Sequence, residues 1–162
     1  MYDLHRDLLD ALRATPETLE GLLHGVSLAQ ARSAVGGDEN WSVVEVLCHL
    51  RDAEEINLSR VEAMRTGSNP PIAPFDQLAL ARERNYREAD PGSAMADFTR
   101  LRARYVALLA ALSEEDWERT ALHNELGSIT IFTQGLHRAS HDAVHCAQIA
   151  RQLLSTQPDT TC

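Results

Sequence analysis

Apolar residues recur every three or four positions along four long stretches of the chain, which is the period of helices with one buried face. In the first stretch Leu4, Leu8, Leu12, Leu19, Leu22 and Leu23 keep that period. Thr15-Pro16 interrupts it, so Pro16 either kinks one helix or opens a second one capped by Thr15. Ser27 with Gln30 predicts a short helical turn, and Gly36-Gly37-Asp38 predicts a break. Ser42-Val43-Val44-Glu45 has the form of a capping box, from which a helix should run to about Thr66 and end at Gly67. Its seam is Val43, Leu47, Leu50, Glu54, Asn57, Val61 and Met64. A stiff Asn69–Pro74 loop should lead to a polar helical stretch from about Asp76 to Arg87. Asp90-Pro91 opens the third long helix, with Phe98, Leu101, Tyr105, Leu108 and Leu112 along its seam. Ser113 and the acids after it predict a short turn, His123 to Ser128 a loop around Gly127, and Thr130 the cap of a last long helix ending near Leu154. Four main helices with short connections make an all-α bundle.

Composition agrees with this reading. Ala and Leu supply 22 residues each and only 5% of the chain is aromatic. At 162 residues the chain has room for one core. We expect a single domain over residues 1–155 and a frayed tail over 156–162. The net charge is −9 and every cation is an Arg, which disfavours nucleic acid and anionic membranes as partners. Cys48, Cys146 and Cys162 form no disulfide framework, and Cys48 and Cys146 are best read as small buried hydrophobes. The N-terminus lacks the layout of a signal peptide and no apolar run is long enough to span a membrane, so a cytoplasmic location is expected.

Two features carry chemistry. Glu54 and Asn57 sit in the middle of an apolar seam, where an unpaired polar group costs about 1–3 kcal/mol, so each needs a partner, water or a ligand. His137, His141 and His145 share one stripe of the last helix, which Gln148 and Gln152 continue. Two imidazoles one turn apart can hold a single metal ion. The alternative is a wet polar face, since no Glu stands between these histidines as a general base. His49, from the middle of the second long helix, would supply a third ligand and leave open positions, the pattern of catalytic sites.

Trp41-Ser42-Val43-Val44-Glu45-Val46-Leu47-Cys48-His49-Leu50-Arg51-Asp52-Ala53-Glu54 resembles the opening motif of the DinB/YfiT-like superfamily, and His141-Asp142-Ala143-Val144-His145-Cys146-Ala147-Gln148-Ile149 its closing motif. Asp116-Trp117-Glu118-Arg119 and the Gly127 to Thr130 turn lie between them in the same order. The resemblance implies a four-helix bundle with one long crossover connection. It also implies a divalent metal, zinc, nickel or iron, on His49, His141 and His145, with His137 outside the ligand set. That superfamily includes S-transferases acting on bacillithiol, mycothiol or glutathione, so a small thiol is the implied co-substrate and an electrophile its acceptor.

A metal on three neutral imidazoles would activate either a thiol or water, giving thiol transfer with hydrolysis as the alternative. A non-catalytic metal-binding or stress-response protein is the rival of another class. Glu54 and Asp52 are the acid–base candidates, Asp52 as the holder of the second nitrogen of His49. Arg51 and Arg138 are candidates for contacts with an acidic thiol, and Arg151 also lies near the motifs. The ligand nitrogens should lie within about 3–4 Å of one another. A stripe of small residues on the last helix, Ala139, Ala143, Cys146 and Ala150, suggests a homodimer unless the first helix covers it.

Overall fold

The computed structural model describes residues 3–33 and 35–156. Its elements in order are α1 (Leu4–Leu23), α2 (Leu28–Ser33), β1 (Val35–Gly36), β2 (Trp41–Ser42), α3 (Val43–Thr66), β3 (Pro71–Ile72), α4 (Gln77–Glu83), a 3-10 turn (Tyr86–Glu88), α5 (Pro91–Ala110), α6 (Glu114–Trp117), β4 (Thr120–His123), β5 (Gly127–Thr130) and α7 (Ile131–Ser155). Residues 157–162 of the expected tail, with Cys162, lie outside the described residues.

The expected starts and stops are the observed ones for the long helices. Ser42 and Thr130 each accept from the backbone three residues on, within capping boxes, and Asp90 caps α5 with Pro91 in its first turn. α1 is one helix with Pro16 inside it, which decides the alternative left open at Thr15. The stretch expected as one helix from Asp76 to Arg87 is broken at Asn85, whose left-handed φ of 48° ends α4 early. The expected loop at His123–Ser128 is a β-hairpin, β4 paired antiparallel with β5, and β3 joins β4 in parallel. These strands are only two to four residues long and carry no alternation by which a pattern could reveal them.

The four long helices form the expected bundle. α5 and α7 both pack on α1 and on α3, so α1 and α3 face each other across the diagonal. The connection over residues 24–42 therefore crosses one end of the bundle, carrying α2 and the β1–β2 ribbon. α1 also packs on α7. Ala139 and Cys146 of the small-residue stripe pack against the core halves that include Leu8, Leu12 and Leu19 of α1, while Ala143 is exposed.

The core comes in two apolar halves. One gathers Leu19, Val43, Leu47, Leu50, Phe98 and Ile149; the other gathers Leu12, Val61, Met64, Tyr105, Leu109 and Ile131. Between them lies an ionic layer. Glu54 of α3 is fully buried and takes both forks of Arg102 from α5, at 2.6 and 2.9 Å. Arg102 Nη1 also meets Asp142 of α7 at 2.6 Å and donates to the Leu12 carbonyl of α1 at 2.9 Å. That carbonyl is free because Pro16, four residues on, has no N–H to give it. Thr15 of α1 donates to Asp142 at 3.1 Å, and Arg138 pairs with Asp142 at 2.9 Å. Two guanidinium groups thus balance two carboxylates, and all four helices contribute. Asn57, the second polar residue of the α3 seam, accepts from Gln134 at 2.7 Å.

Replacing Arg102 by Met should lower stability by about 3–5 kcal/mol, because Glu54 and Asp142 would then lack their shared cation in the interior. The urea midpoint with an unchanged slope measures this. A loss within 0.5 kcal/mol, about the size of a surface change, would mean that the layer is wet and not buried.

Candidate metal centre

The sequence brings three histidines to one place through two helix registers. His49 sits in the second turn of α3, while His141 and His145 stand one turn apart on α7. One nitrogen from each lies within 4.8 Å of the other two, and His49 Nε2 is 2.9 Å from His141 Nε2. Two nitrogens that share one tetrahedral zinc stand about 3.3 Å apart. The group is therefore slightly wider than the expected 3–4 Å at its widest, and tighter at the hydrogen-bonded pair. His137 stays outside it, exposed, with its ring centroid 6.5 Å from that of His141.

Each ring is held by a neighbour. The indole of Trp41 stands 5.1 Å from the His49 ring and closes that side with an apolar wall. His145 Nδ1 donates to Gln148 Oε1 at 2.8 Å, which leaves the Nε2 lone pair free for an ion. Gln148 is itself anchored, donating to the Gly36 carbonyl at 2.9 Å, and Gln152 donates to the Trp41 carbonyl at 2.7 Å. The β1–β2 ribbon can approach this closely because Gly37 has φ +82° and a Cβ there would stand 2.4 Å from Gln148 Nε2. His141 is different. Arg138 donates to its Nδ1, and a guanidinium can only donate. The neutral His141 ring then keeps its proton on Nε2 and gives it to His49. Ligation through His141 Nε2 needs that proton moved to Nδ1 and the Arg138 fork drawn back onto Asp142, which already holds it. With that one adjustment the donor set, three imidazoles and no carboxylate, suits zinc, nickel or iron.

Burial pushes the His49 pKa down to about 3, helped by the charge of Arg138. Burial and then Arg138 also hold His141 well below the usual range. His145 is lowered by burial, although its bond to Gln148 works the other way. All three rings are therefore neutral near pH 7, the form that binds metal.

The other residues expected at the site lie elsewhere or are already engaged. Asp52 does not hold His49. Its carboxylate is fully buried under Arg51 at 2.6 Å, Arg84 at 2.8 Å and the Tyr86 hydroxyl at 2.5 Å. Glu54 is not a free acid or base, because Arg102 occupies both its oxygens. Arg138 is 5% exposed and lies inside the ionic layer, so it is no surface contact for a cofactor. Arg51 is tied to Asp52, and Arg151 is exposed near the end of α7. Cys48 and Cys146 are thiols, each pushed up to about 11 by burial. Sequence reasoning missed Arg102, and it placed Gln148 on the His stripe without a role. Arg102 follows Phe98 by one turn on a buried seam, and Gln148 follows His145 by three residues, so the spacing held a signal for both.

The fold is that of a known class of helical bundles. The chain belongs to the DinB superfamily, whose model matches residues 11–149. YfiT of Bacillus subtilis (strain 168), named provisionally as a metal-dependent hydrolase, is 26% identical over 120 residues, which cover 72% of this chain and 67% of YfiT. A relative from Oceanobacillus iheyensis with the same provisional name is 34% identical over 109 residues, 67% of this chain and 63% of that protein. The chain thus spans less than two thirds of the Oceanobacillus relative. The solved structure of YfiT, described as having an unusual four-helix bundle topology, superposes with a TM-score of 0.83 at 25% identity, over 91% of this chain and 85% of YfiT. The mycothiol-dependent maleylpyruvate isomerase shares the fold, with a TM-score of 0.74 at 14% identity over 92% of this chain and 63% of that one.

Acid should unfold the metal-free protein early. Between the folded His49 value of about 3 and the ordinary 6.5, the unfolded chain binds a proton that the folded chain refuses. Stability is therefore full above about pH 6.5 and falls as the pH drops toward 3, and His141 and His145 add to the same slope. Urea midpoints at pH 7 and pH 5 measure it; equal midpoints would contradict neutral buried rings. A second outcome concerns the ribbon. Gly37→Ala should cost about 1–2 kcal/mol in backbone strain and also weaken metal binding by about 10–100-fold through Gln148. Gly25→Ala, equally left-handed but with nothing within 4 Å of its Cβ, should show the strain alone. Calorimetric zinc titration of the two variants separates these effects.

Proposed function

We propose that this chain is a divalent-metal-dependent hydrolase of small molecules, with His49, His141 and His145 holding the ion. One observation carries the reading: three neutral imidazoles from two helices converge within 4.8 Å, with no carboxylate in the set. A bound divalent ion would supply a Lewis acid that makes a small nucleophile available near neutral pH. The residues around it do the rest. Gln148 fixes the tautomer of His145, and Trp41 keeps water from the back of His49. Arg102 and Arg138 neutralise Glu54 and Asp142, so neither carboxylate competes for the ion.

The provisional names of the bacillus relatives support water as the nucleophile. Transfer of a thiol such as bacillithiol, mycothiol or glutathione uses the same three imidazoles and is the rival within the same assay. It has lost support from Arg138, whose charge is used inside the bundle.

The experiment is metal analysis of untagged protein, followed by stripping and zinc titration. The reloaded protein is then assayed on an ester and amide panel, and with glutathione plus an aryl halide. Turnover on the ester or amide panel that chelator abolishes and zinc restores supports hydrolysis, and chelator-sensitive thiol loss would move the assignment to transfer. Zinc bound with no turnover on either arm would favour a binding protein. His141→Ala should lose zinc binding yet keep its helical circular dichroism, because the two apolar halves of the core do not depend on the ion. An unfolded variant would make the site structural.

A further inference from the structure

A cleft of about 540 Å³ lies between Arg60 of α3, Phe75 before α4, the β4–β5 hairpin and the His137 turn of α7. It ends at His137, one turn from His141. We infer that this cleft is the substrate subsite of the same centre, and that it takes a singly charged carboxylate on an apolar body, with Arg60 as the charge partner. The inference rests on the triad being the metal centre.

Arg60 is the first reason. Ten of the fifteen arginines make an ion pair with a carboxylate among the described residues. Of the other five, Arg65, Arg82, Arg104 and Arg151 are exposed, and Arg60 alone is not. Burial disfavours its charge and no nearby carboxylate offsets that. Yet its head is fixed, donating to the Ala73 carbonyl at 2.6 Å and lying 5.8 Å from the centre of the Phe75 ring. A chain with nine surplus negative charges has, among the described residues, left one half-buried arginine without a carboxylate and facing a cavity. Such a group gains most from an anion that arrives with the ligand.

The cleft also limits that anion. One guanidinium balances one charge. Partial burial and then Arg138 hold the His137 pKa below its usual value, while Glu125 on the same cleft repels a second negative charge. A phosphate dianion is therefore disfavoured against a carboxylate. His123 accepts the Glu125 and Leu126 amides at its Nδ1, at 3.2 and 3.3 Å, which leaves its Nε2–H as a donor. Phe75, Leu126 and Ile129 supply the apolar wall, the first two being 37% and 65% exposed. The carboxylate on Arg60 would leave the far end of the body at His137 and the triad.

The probe is 4-phenylbutyrate, with uncharged 4-phenylbutyramide as its control, titrated into metal-stripped protein and followed by ligand-detected NMR. The acid should bind saturably and at least about tenfold more tightly than the amide, the scale of one charge-assisted hydrogen bond. Arg60→Gln should erase that preference while leaving the affinity for the amide unchanged, which also reports that the cleft is still folded. Arg60→Lys should keep part of the preference, and Arg104→Gln, at an exposed unpaired arginine, should keep all of it. Equal binding of the acid by Arg60→Gln and the parent, or equal binding of acid and amide by the parent, overturns the inference. With Co²⁺ added, the phenyl protons should relax faster in the parent than in His141→Ala. A probe that binds through Arg60 without that relaxation, in protein shown by calorimetry to hold Co²⁺, would overturn the placement beside the triad. The metal-free titration does not depend on metal binding, so failure of the metal reading and failure of the cleft give different results.

Discussion

Arg102 is the cation that all four long helices meet. α1 offers it a carbonyl, α3 and α7 a carboxylate each, and α5 carries it. A side chain with this many fixed partners sets how each helix is rotated about its own axis. That matters most for α3 and α7, because Glu54 lies five residues beyond His49 and Asp142 directly follows His141. If either helix turned to release its carboxylate, its histidine would turn away as well. Ion pairing in the interior contributes little net stability against a well-packed apolar layer. Here it defines one register of the bundle, and that register is the one in which three imidazoles converge.

The guanidinium is suited to this position in a way an ammonium is not. Glu54 is bound by two parallel N–H groups, and a third faces Asp142 and the Leu12 carbonyl. A lysine presents a point charge with no planar fork and would leave at least one of those oxygens unpaired. The chain contains no lysine at all, so this geometry does not explain the wider choice of Arg on the surface.

Much of this was legible before any coordinates. The helices announce themselves by period, and the capping residues Ser42, Asp90 and Thr130 start them where expected. The three histidines were legible because helical spacing puts His141 and His145 on one side and leaves His49 as the complement. What the sequence hid was set by distant contacts. Asp52 looked like a partner for His49 because it lies one turn away, but Arg84 and Tyr86 arrive from more than thirty residues on and take it. Arg138 looked like an exposed cation among motif residues, although its spacing of four to Asp142 was the better guide. The short strands are invisible because two to four residues cannot show a period, and in sequence the ribbon that fixes Gln148 looks like a simple break at Gly36-Gly37.

Pro16 has a consequence for anyone wishing to make this protein sturdier. A proline inside a helix is an obvious target for replacement by alanine, which would be expected to strengthen the helix. In α1 the absent N–H of residue 16 is what leaves the Leu12 carbonyl for Arg102. Alanine would bring a rival donor to that oxygen and draw it back into its own helix. The gain in α1 would be taken from the layer that aligns the ligand-bearing helices, so a thermostability screen and an activity screen would rank the same variant in opposite order.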